Sequence, residues 1–375
     1  MKRVWFILLC SVACLLLAES VYAQQDSTRR FTSKDSLDFC IRQAEKSLRM
    51  QNAPAVFRWY RRAIRFNSPE AYVALGNCYY YGYGTELDYG KAYYCFYRAA
   101  EQGNKIGEYG VGKCYYYGRG VKRNGEQAAG WYRVSASKGY SLANYGLGCC
   151  YRNAFGVQRD DVKAVEYLEK AAADSIVQAY YMLGTIYEDE SSTIPVDVAK
   201  AFGYYKQAAE KNYAKAQYRL GMFYEAGRGV ERNREYAWQC YMKAAENGDA
   251  DAQYRVGRFY YYGLMNVKFD YKKAYYWMMQ AAKQNHSRAQ YHLGLLYMNG
   301  EGIKQDYAAA YSWFRRSADQ GYAPGIYYLG KCYLNGYGVT ADRESAIACF
   351  RLAADAGHSQ ARTCLLYTSP SPRDS

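Results

Sequence analysis

An apolar residue followed by glycine, with tyrosine three positions on, recurs eight times in this chain. The glycines are Gly76, Gly112, Gly148, Gly184, Gly221, Gly257, Gly294 and Gly330, at steps of 36, 36, 36, 37, 36, 37 and 36 residues. The tyrosines are Tyr79, Tyr115, Tyr151, Tyr187, Tyr224, Tyr260, Tyr297 and Tyr333. A fixed period of this length marks a repeat architecture. One such unit cannot bury its own apolar face and has to stack on its neighbours.

Each repeat reads as two helices. Ala71, Leu75, Cys78 and Tyr79 fall at i, i+4, i+7 and i+8, the apolar stripe of a first helix. Glycine inside a helix costs about 1 kcal/mol against alanine. Its return at one register position therefore predicts a second helix backbone crossing closely there. A glycine loop follows, as in Gly82-Tyr83-Gly84, Gly118-Arg119-Gly120 or Gly336-Tyr337-Gly338. The second helix opens on Asp88, Asn124, Asp160, Asp197, Asn233, Asp270, Asp306 or Asp342, all residues that cap a first turn. It closes before Gly103, Gly139, Ser175, Asn212, Gly248, Asn285, Gly321 or Gly357, seven of which are Gly or Asn and suit a left-handed stop. Residues 37–67 read as a degenerate helical pair capping the stack, with 24–36 as a flexible lead-in. Most of the repeated tyrosines are expected in the core.

Both ends are set aside from this pattern. Lys2-Arg3, an apolar run from Val4 to Ala18 and Val21-Tyr22-Ala23 describe a cleaved export signal over residues 1–23. No later apolar run is long enough for a membrane span, and Cys14 is a poor match to a lipidation site. At the other end the repeat pattern breaks, and Cys364 to Asp374 resembles a translated sequencing-library adapter, so 364–375 is expected to be an artefact. The expected location is the periplasm or the outside of the cell.

The period and motif resemble the Sel1-like repeat family, a branch of the tetratricopeptide-like helical repeats. The fifth repeat carries the family signature in Ala216, Gly221, Tyr224, Gly227, Gly229, Val230, Asn233, Ala237, Ala244, Ala245 and Gly248. The likeness covers residues 68–363: eight repeats of 36–37 residues and the start of a ninth. It departs in the fourth repeat, which replaces its glycines with Glu188-Asp189-Glu190 and a Pro195 loop. The resemblance implies an all-α, right-handed α/α superhelical solenoid and a scaffold role exercised through the curved inner surface.

The residues offer little for catalysis. Three histidines, His286, His292 and His358, stand apart from metal-ligand spacings, and no nucleophile elbow, phosphate loop or dinucleotide fingerprint is present. No enzyme activity, cofactor or metal is expected. Cys78/Cys95 and Cys332/Cys349 each join equivalent positions on the two helices of one repeat. They are read as small buried hydrophobes, as disulfides or as metal ligands, and Cα separation decides the disulfide reading.

The candidate binding face lies two before, one after and five after each repeat glycine, away from the apolar stripe. It holds Tyr81, Lys113, Tyr117, Arg219, Arg255, Arg258, Tyr262, His292, Tyr328 and Lys331. Aromatics and Arg in such a place suit a tunable interface, and an ordinary solvated helix face is the competing reading. Arg58, Arg61, Arg62 and Arg65 form a basic stripe at i, i+3, i+4 and i+7, either an anionic docking site or a solubilising cap. The formal net charge of +14 favours acidic partners and serves solubility equally. The expected partner is a protein or peptide, the alternative is an envelope polysaccharide or other anionic polymer, and nucleic acid is not expected.

Overall fold

A computed structural model describes residues 36–368, and the expected export signal, most of the lead-in and the end of the adapter-like segment lie outside them. Nineteen α-helices and no strand occur among the described residues. The described residues form two compact units, divided between Asp197 and Val198.

The first unit contains α1 (Leu37–Arg49), α2 (Ala53–Ala63), a 3-10 turn (Ile64–Phe66), α3 (Pro69–Tyr81), α4 (Tyr89–Ala100), α5 (Lys105–Tyr117), α6 (Gly125–Ser137), α7 (Ser141–Arg152), α8 (Asp161–Ala173) and α9 (Val177–Glu188). The second contains α10 (Val198–Glu210), α11 (Ala214–Ala226), α12 (Arg234–Glu246), α13 (Ala250–Tyr262), α14 (Tyr271–Lys283), α15 (Ser287–Asn299), α16 (Tyr307–Ala318), α17 (Ala323–Asn335), α18 (Arg343–Asp355) and α19 (Ser359–Thr368). Within each unit every helix packs against the next, and α3 also meets α5, α5 meets α7, and α15 meets α17. This is the all-α solenoid class, with first helices of neighbouring repeats touching at these three places. Helix α19 runs on through Thr368, into the adapter-like residues, and Sγ of its Cys364 lies 3.8 Å from the Tyr327 hydroxyl.

The caps form as the sequence indicates. The side chains of Asp88, Asn124, Asp160, Asn233, Asp270, Asp306 and Asp342 each accept a backbone N–H from the opening turn of a second helix. In α12 the bond runs from Tyr236 N to Asn233 Oδ1 at 3.0 Å. Replacing Asn233 with Ala is expected to cost about 1 kcal/mol. Amides in the first turn of α12 would then exchange with solvent about fivefold faster.

The repeat glycine faces a closely packed second helix, and the nearest atoms belong to a large side chain. A methyl group on Gly221 would fall 2.7 Å from the Tyr241 ring, and one on Gly330 would fall 2.8 Å from Phe350. Gly76, Gly112, Gly148, Gly257 and Gly294 face Phe96, Tyr132, Leu168, Met278 and Phe314 in the same way. All of these partners are almost fully buried, and each stands four residues after the repeated alanine of the second helix. The glycine therefore admits a large side chain, and at Gly112, Gly148 and Gly257 the backbone of the second helix also crosses closely, at 3.3, 3.2 and 3.3 Å from the added methyl. The closest backbone approach is at the second loop glycine. There Gly84, Gly120 and Gly338 press on the Ala53, Tyr89 and Tyr307 carbonyls of the preceding helical pair.

The repeated tyrosines differ from expectation. Only Tyr187 of the eight is buried, and the other seven are half-buried. Three of the hydroxyls face a tyrosine on the preceding repeat: Tyr93 to Tyr115 at 3.2 Å, Tyr275 to Tyr297 at 3.0 Å and Tyr311 to Tyr333 at 3.1 Å. A phenol needs a partner for its polar tip, so the boundary between repeats suits it better than the core.

Candidate functional site

First helices carry the polar chemistry of both units, because their stripe faces the second helices and their opposite side stays open. In the first unit α3 and α5 bring Tyr81 and Lys113 together, with the Lys113 Nζ donating to the Tyr81 hydroxyl at 3.1 Å. The same ammonium sits 3.8 Å from the Tyr80 ring centroid and 5.0 Å from that of Tyr81. Tyr117 is 55% exposed and lies under the Arg119 guanidinium at 5.1 Å. Arg119 also donates to the Tyr80 hydroxyl at 2.8 Å. Tyr109 and Tyr140 complete the group with ring centroids 5.2 Å apart. Burial, opposed by Arg119, raises the Tyr117 phenol, and burial raises those of Tyr109 and Tyr140 further. These phenols are protonated donors at neutral pH.

The second unit repeats the arrangement with different cations. Arg258 on α13 lies 5.8 Å from the ring centroids of both Tyr254 and Tyr262, and Tyr262 is half exposed. The Tyr262 hydroxyl is 3.4 Å from Nε2 of His292 on α15, whose Nδ1 is 2.9 Å from the Arg288 carbonyl. Burial, together with the charge of Arg258, pulls the His292 pKa down to about 4 against the opposing pull of that carbonyl. The imidazole is thus neutral: Nδ1–H donates to the backbone and Nε2 accepts from Tyr262. Tyr291 packs on Tyr322 at 5.7 Å and on Tyr328 at 5.5 Å, and Lys331 lies 5.1 Å from the Tyr328 ring.

The residues selected from the sequence fall into three groups. Tyr81, Lys113 and Tyr117 gather on the first unit, and Arg258, Tyr262, Tyr328 and Lys331 lie along the second. His292 is 4% exposed and supports Tyr262 instead of facing a partner. Arg255 is half-buried, donates to Glu225 Oε2 at 2.5 Å and lies 4.8 Å from the Tyr241 ring. Arg219 is half-buried on α11. In the basic stripe Arg58, Arg61 and Arg65 are exposed, while Arg62 lies 5.7 Å from Trp59.

Cys78, Cys95, Cys332 and Cys349 are free thiols in the structure. Burial pushes Cys78, Cys95 and Cys332 up to about 12, and Cys349 upward. They fill space as protonated, unreactive groups. Among the described residues no three His, Cys, Asp or Glu side chains are placed to hold a metal ion. An open depression lined by Tyr115, Val121, Lys122, Arg123, Asn124 and Gln127 contains none of those residue types. Among the described residues no helix is long and apolar enough to cross a membrane.

Sequence reasoning missed Tyr109, Tyr140, Tyr254, Tyr291, Tyr322 and Arg288. A signal was present: Tyr stands three before the repeat glycine in every repeat but the first, where Val73 replaces it. That position is four residues from the one after the glycine, hence on the same helix face. The ring just ahead of the next first helix, such as Tyr140 or Tyr322, packs against it.

Stacked hairpins with aromatic and cationic first-helix faces define a repeat solenoid that works through its surface. The chain belongs to the Sel1 repeat family, whose model matches residues 69–104, 106–140, 141–175, 177–213, 214–249, 250–286, 287–322 and 323–358. It is similar to a Sel1 repeat protein from Oxalobacter formigenes, with 28% identity and a TM-score of 0.59 over 93% of this chain and 99% of that one. It is also similar to c5321, a protective antigen of uropathogenic Escherichia coli displaying the same repeat fold. That match has 26% identity and a TM-score of 0.48 over 88% of this chain and 80% of that one. No curated protein matches the chain. Sel1 repeat proteins are protein-interaction scaffolds and are generally non-enzymatic.

Proposed function

We propose that this chain is an exported, non-enzymatic scaffold that holds a peptide or exposed protein segment on its first-helix faces, which the solenoid would curve into a concave surface. It would use no cofactor and no nucleic acid. The export signal read at residues 1–23 supports a periplasmic or secreted location. The observation that carries the binding role is the exposure of Tyr81, Tyr117 and Tyr262 next to Lys113, Arg119 and Arg258. Tyrosine is a rigid, amphipathic contact residue and is enriched, with Arg, at binding hot spots. The cations also favour a second reading, an envelope polysaccharide or other anionic polymer.

Immobilised protein would be incubated with periplasmic and envelope extracts and the captured material identified. Capture of a specific protein supports the scaffold; capture of polymer that survives protease treatment supports the second reading. The double substitution Tyr81→Ala with Tyr117→Ala is expected to lower capture about tenfold, since each hot-spot truncation costs above about 1 kcal/mol. Circular dichroism would establish that the variant is folded, since both rings are about half exposed and Tyr81 also accepts from Lys113. Unchanged capture would remove the first unit from the interface.

A further inference from the structure

We propose that Arg258, Arg288 and Tyr322 on the second unit recognise carboxylate side chains, so that the segment held there is an acidic peptide. This deepens the scaffold reading and rests on it.

Half-buried Arg258 and exposed Arg288 differ from the arginines that carry a carboxylate partner. Arg152 is paired with Asp161 at 2.8 Å, and Arg255 with Glu225 at 2.5 Å. No carboxylate is within ion-pair distance of Arg258 or Arg288 among the described residues. Arg258 rests instead on the ring faces of Tyr254 and Tyr262. Ring stacking holds a guanidinium plane while leaving its N–H edge outward, the geometry that receives a carboxylate through two hydrogen bonds. His292 fixes this platform by accepting the Tyr262 hydroxyl.

Arg288 is exposed at the start of α15, and its charge and that of Arg258 both act on the Tyr322 phenol, opposing the burial that raises its pKa. The Tyr322 hydroxyl, on the residue before α17, has no hydrogen-bond partner among the described residues. The nearby carboxylate, Asp251, lies 3.3 Å from His286 and also feels the Arg288 charge, without coming within ion-pair distance of it. Arg258 from one repeat and Arg288 and Tyr322 from the next therefore offer donors that no carboxylate bonds directly. A peptide fits better than a polyanion because the donors alternate with the rings of Tyr254, Tyr262 and Tyr291 and form no continuous row of lysines. The first unit offers a contrast, since Lys113 is already spent on Tyr81 and on the Tyr80 ring.

The test is fluorescence anisotropy with a labelled peptide in which Glu alternates with Gly around two Tyr residues, alongside its Gln counterpart. The Glu peptide is expected to bind at least tenfold more tightly than the Gln peptide. Arg258→Gln with Arg288→Gln should abolish that difference, Tyr322→Phe should reduce it a few-fold, and Lys170→Gln, which removes an exposed cation outside both clusters, should leave it intact. Circular dichroism would establish that each variant is folded. Equal affinity for the two peptides, no binding of either, or an undiminished preference in the double Arg variant overturns the proposal. So does tighter binding of a single-stranded oligonucleotide or heparin than of the Glu peptide. A protein partner captured from extracts independently of Arg258 and Arg288 would defeat this site while the scaffold role stood. A Glu preference with no captured protein would do the reverse.

Discussion

Gly120→Ala is expected to destabilise the chain by about 3 kcal/mol, a large effect for one methyl group. Two costs combine. Gly120 has φ +77°, in the left-handed region, where an L-residue pays about 1 kcal/mol or more. The new Cβ would also overlap the Tyr89 carbonyl and crowd the Gly90 amide, backbone atoms that no rotamer change can move. The second repeat has to shift away from the first, which opens the packing around Val111, Cys114 and Phe96. Gly139→Ala separates the two costs. Gly139 has φ +73° with no atom within 4 Å of an added Cβ, so it should lose only the conformational share, about 1 kcal/mol. Urea unfolding followed by circular dichroism would compare the two. Amide exchange should rise in α4 and α5 for Gly120→Ala alone. Equal losses in both variants would mean that the glycine is there for its backbone angle and not for the contact.

That contrast also explains what the sequence could disclose. Helix starts and stops were legible because caps are local. Asp270 and the N–H of Lys273 are three residues apart, and their bond needs no knowledge of the rest of the chain. The repeat register was legible because Gly76 to Gly330 return at a fixed step. What faces a glycine across space was not. Gly294 and Phe314 are twenty positions apart on different helices, and only the fold brings them into contact.

The candidate site was legible as a face and illegible as a set of contacts. Tyr262 and Arg258 lie on one helix four residues apart, so their shared side follows from helical geometry. His292 occupies the same register position as Arg255 and Tyr328, yet it is buried, because its neighbours Tyr254, Tyr261 and Tyr291 close around it. Register fixes direction, and the size of the neighbours fixes exposure. Tyr322 and Arg288 escaped notice for a related reason: they stand at the edge of α17 and at the start of α15, outside the periodic stripe.

Asp161→Ala should be the most damaging change among the charged residues, at about 3 kcal/mol. The carboxylate is fully buried and accepts from Arg152 at 2.8 Å, from Arg159 at 3.1 Å and from the Thr193 N–H at 2.9 Å. Its position on α8 matches Tyr89 and Tyr307, the residues on which a loop glycine of the next repeat rests. The fourth repeat lacks that glycine, and the side chain of Asp161 ties its Ser192-Thr193 loop where others make backbone contact. Truncation strips Arg152 of its buried partner, although Asp189 also pairs with it. Burial alone would raise the Asp161 pKa, and the bonds from Arg152, Thr193 and Arg159 outweigh it, so the group ionises below the usual carboxylate range. The network is therefore at full strength above the unfolded pKa near 4 and weakens as pH falls through the lower folded value. Wild type and Asp161→Ala should differ by a constant amount at neutral pH and converge progressively below about pH 4. Glu166→Ala breaks only an exposed pair with Lys170 and should cost a few tenths of a kcal/mol at most. Urea midpoints across pH would check both, and a neutral-pH loss for Asp161→Ala no greater than that for Glu166→Ala would show that the carboxylate does not hold the loop.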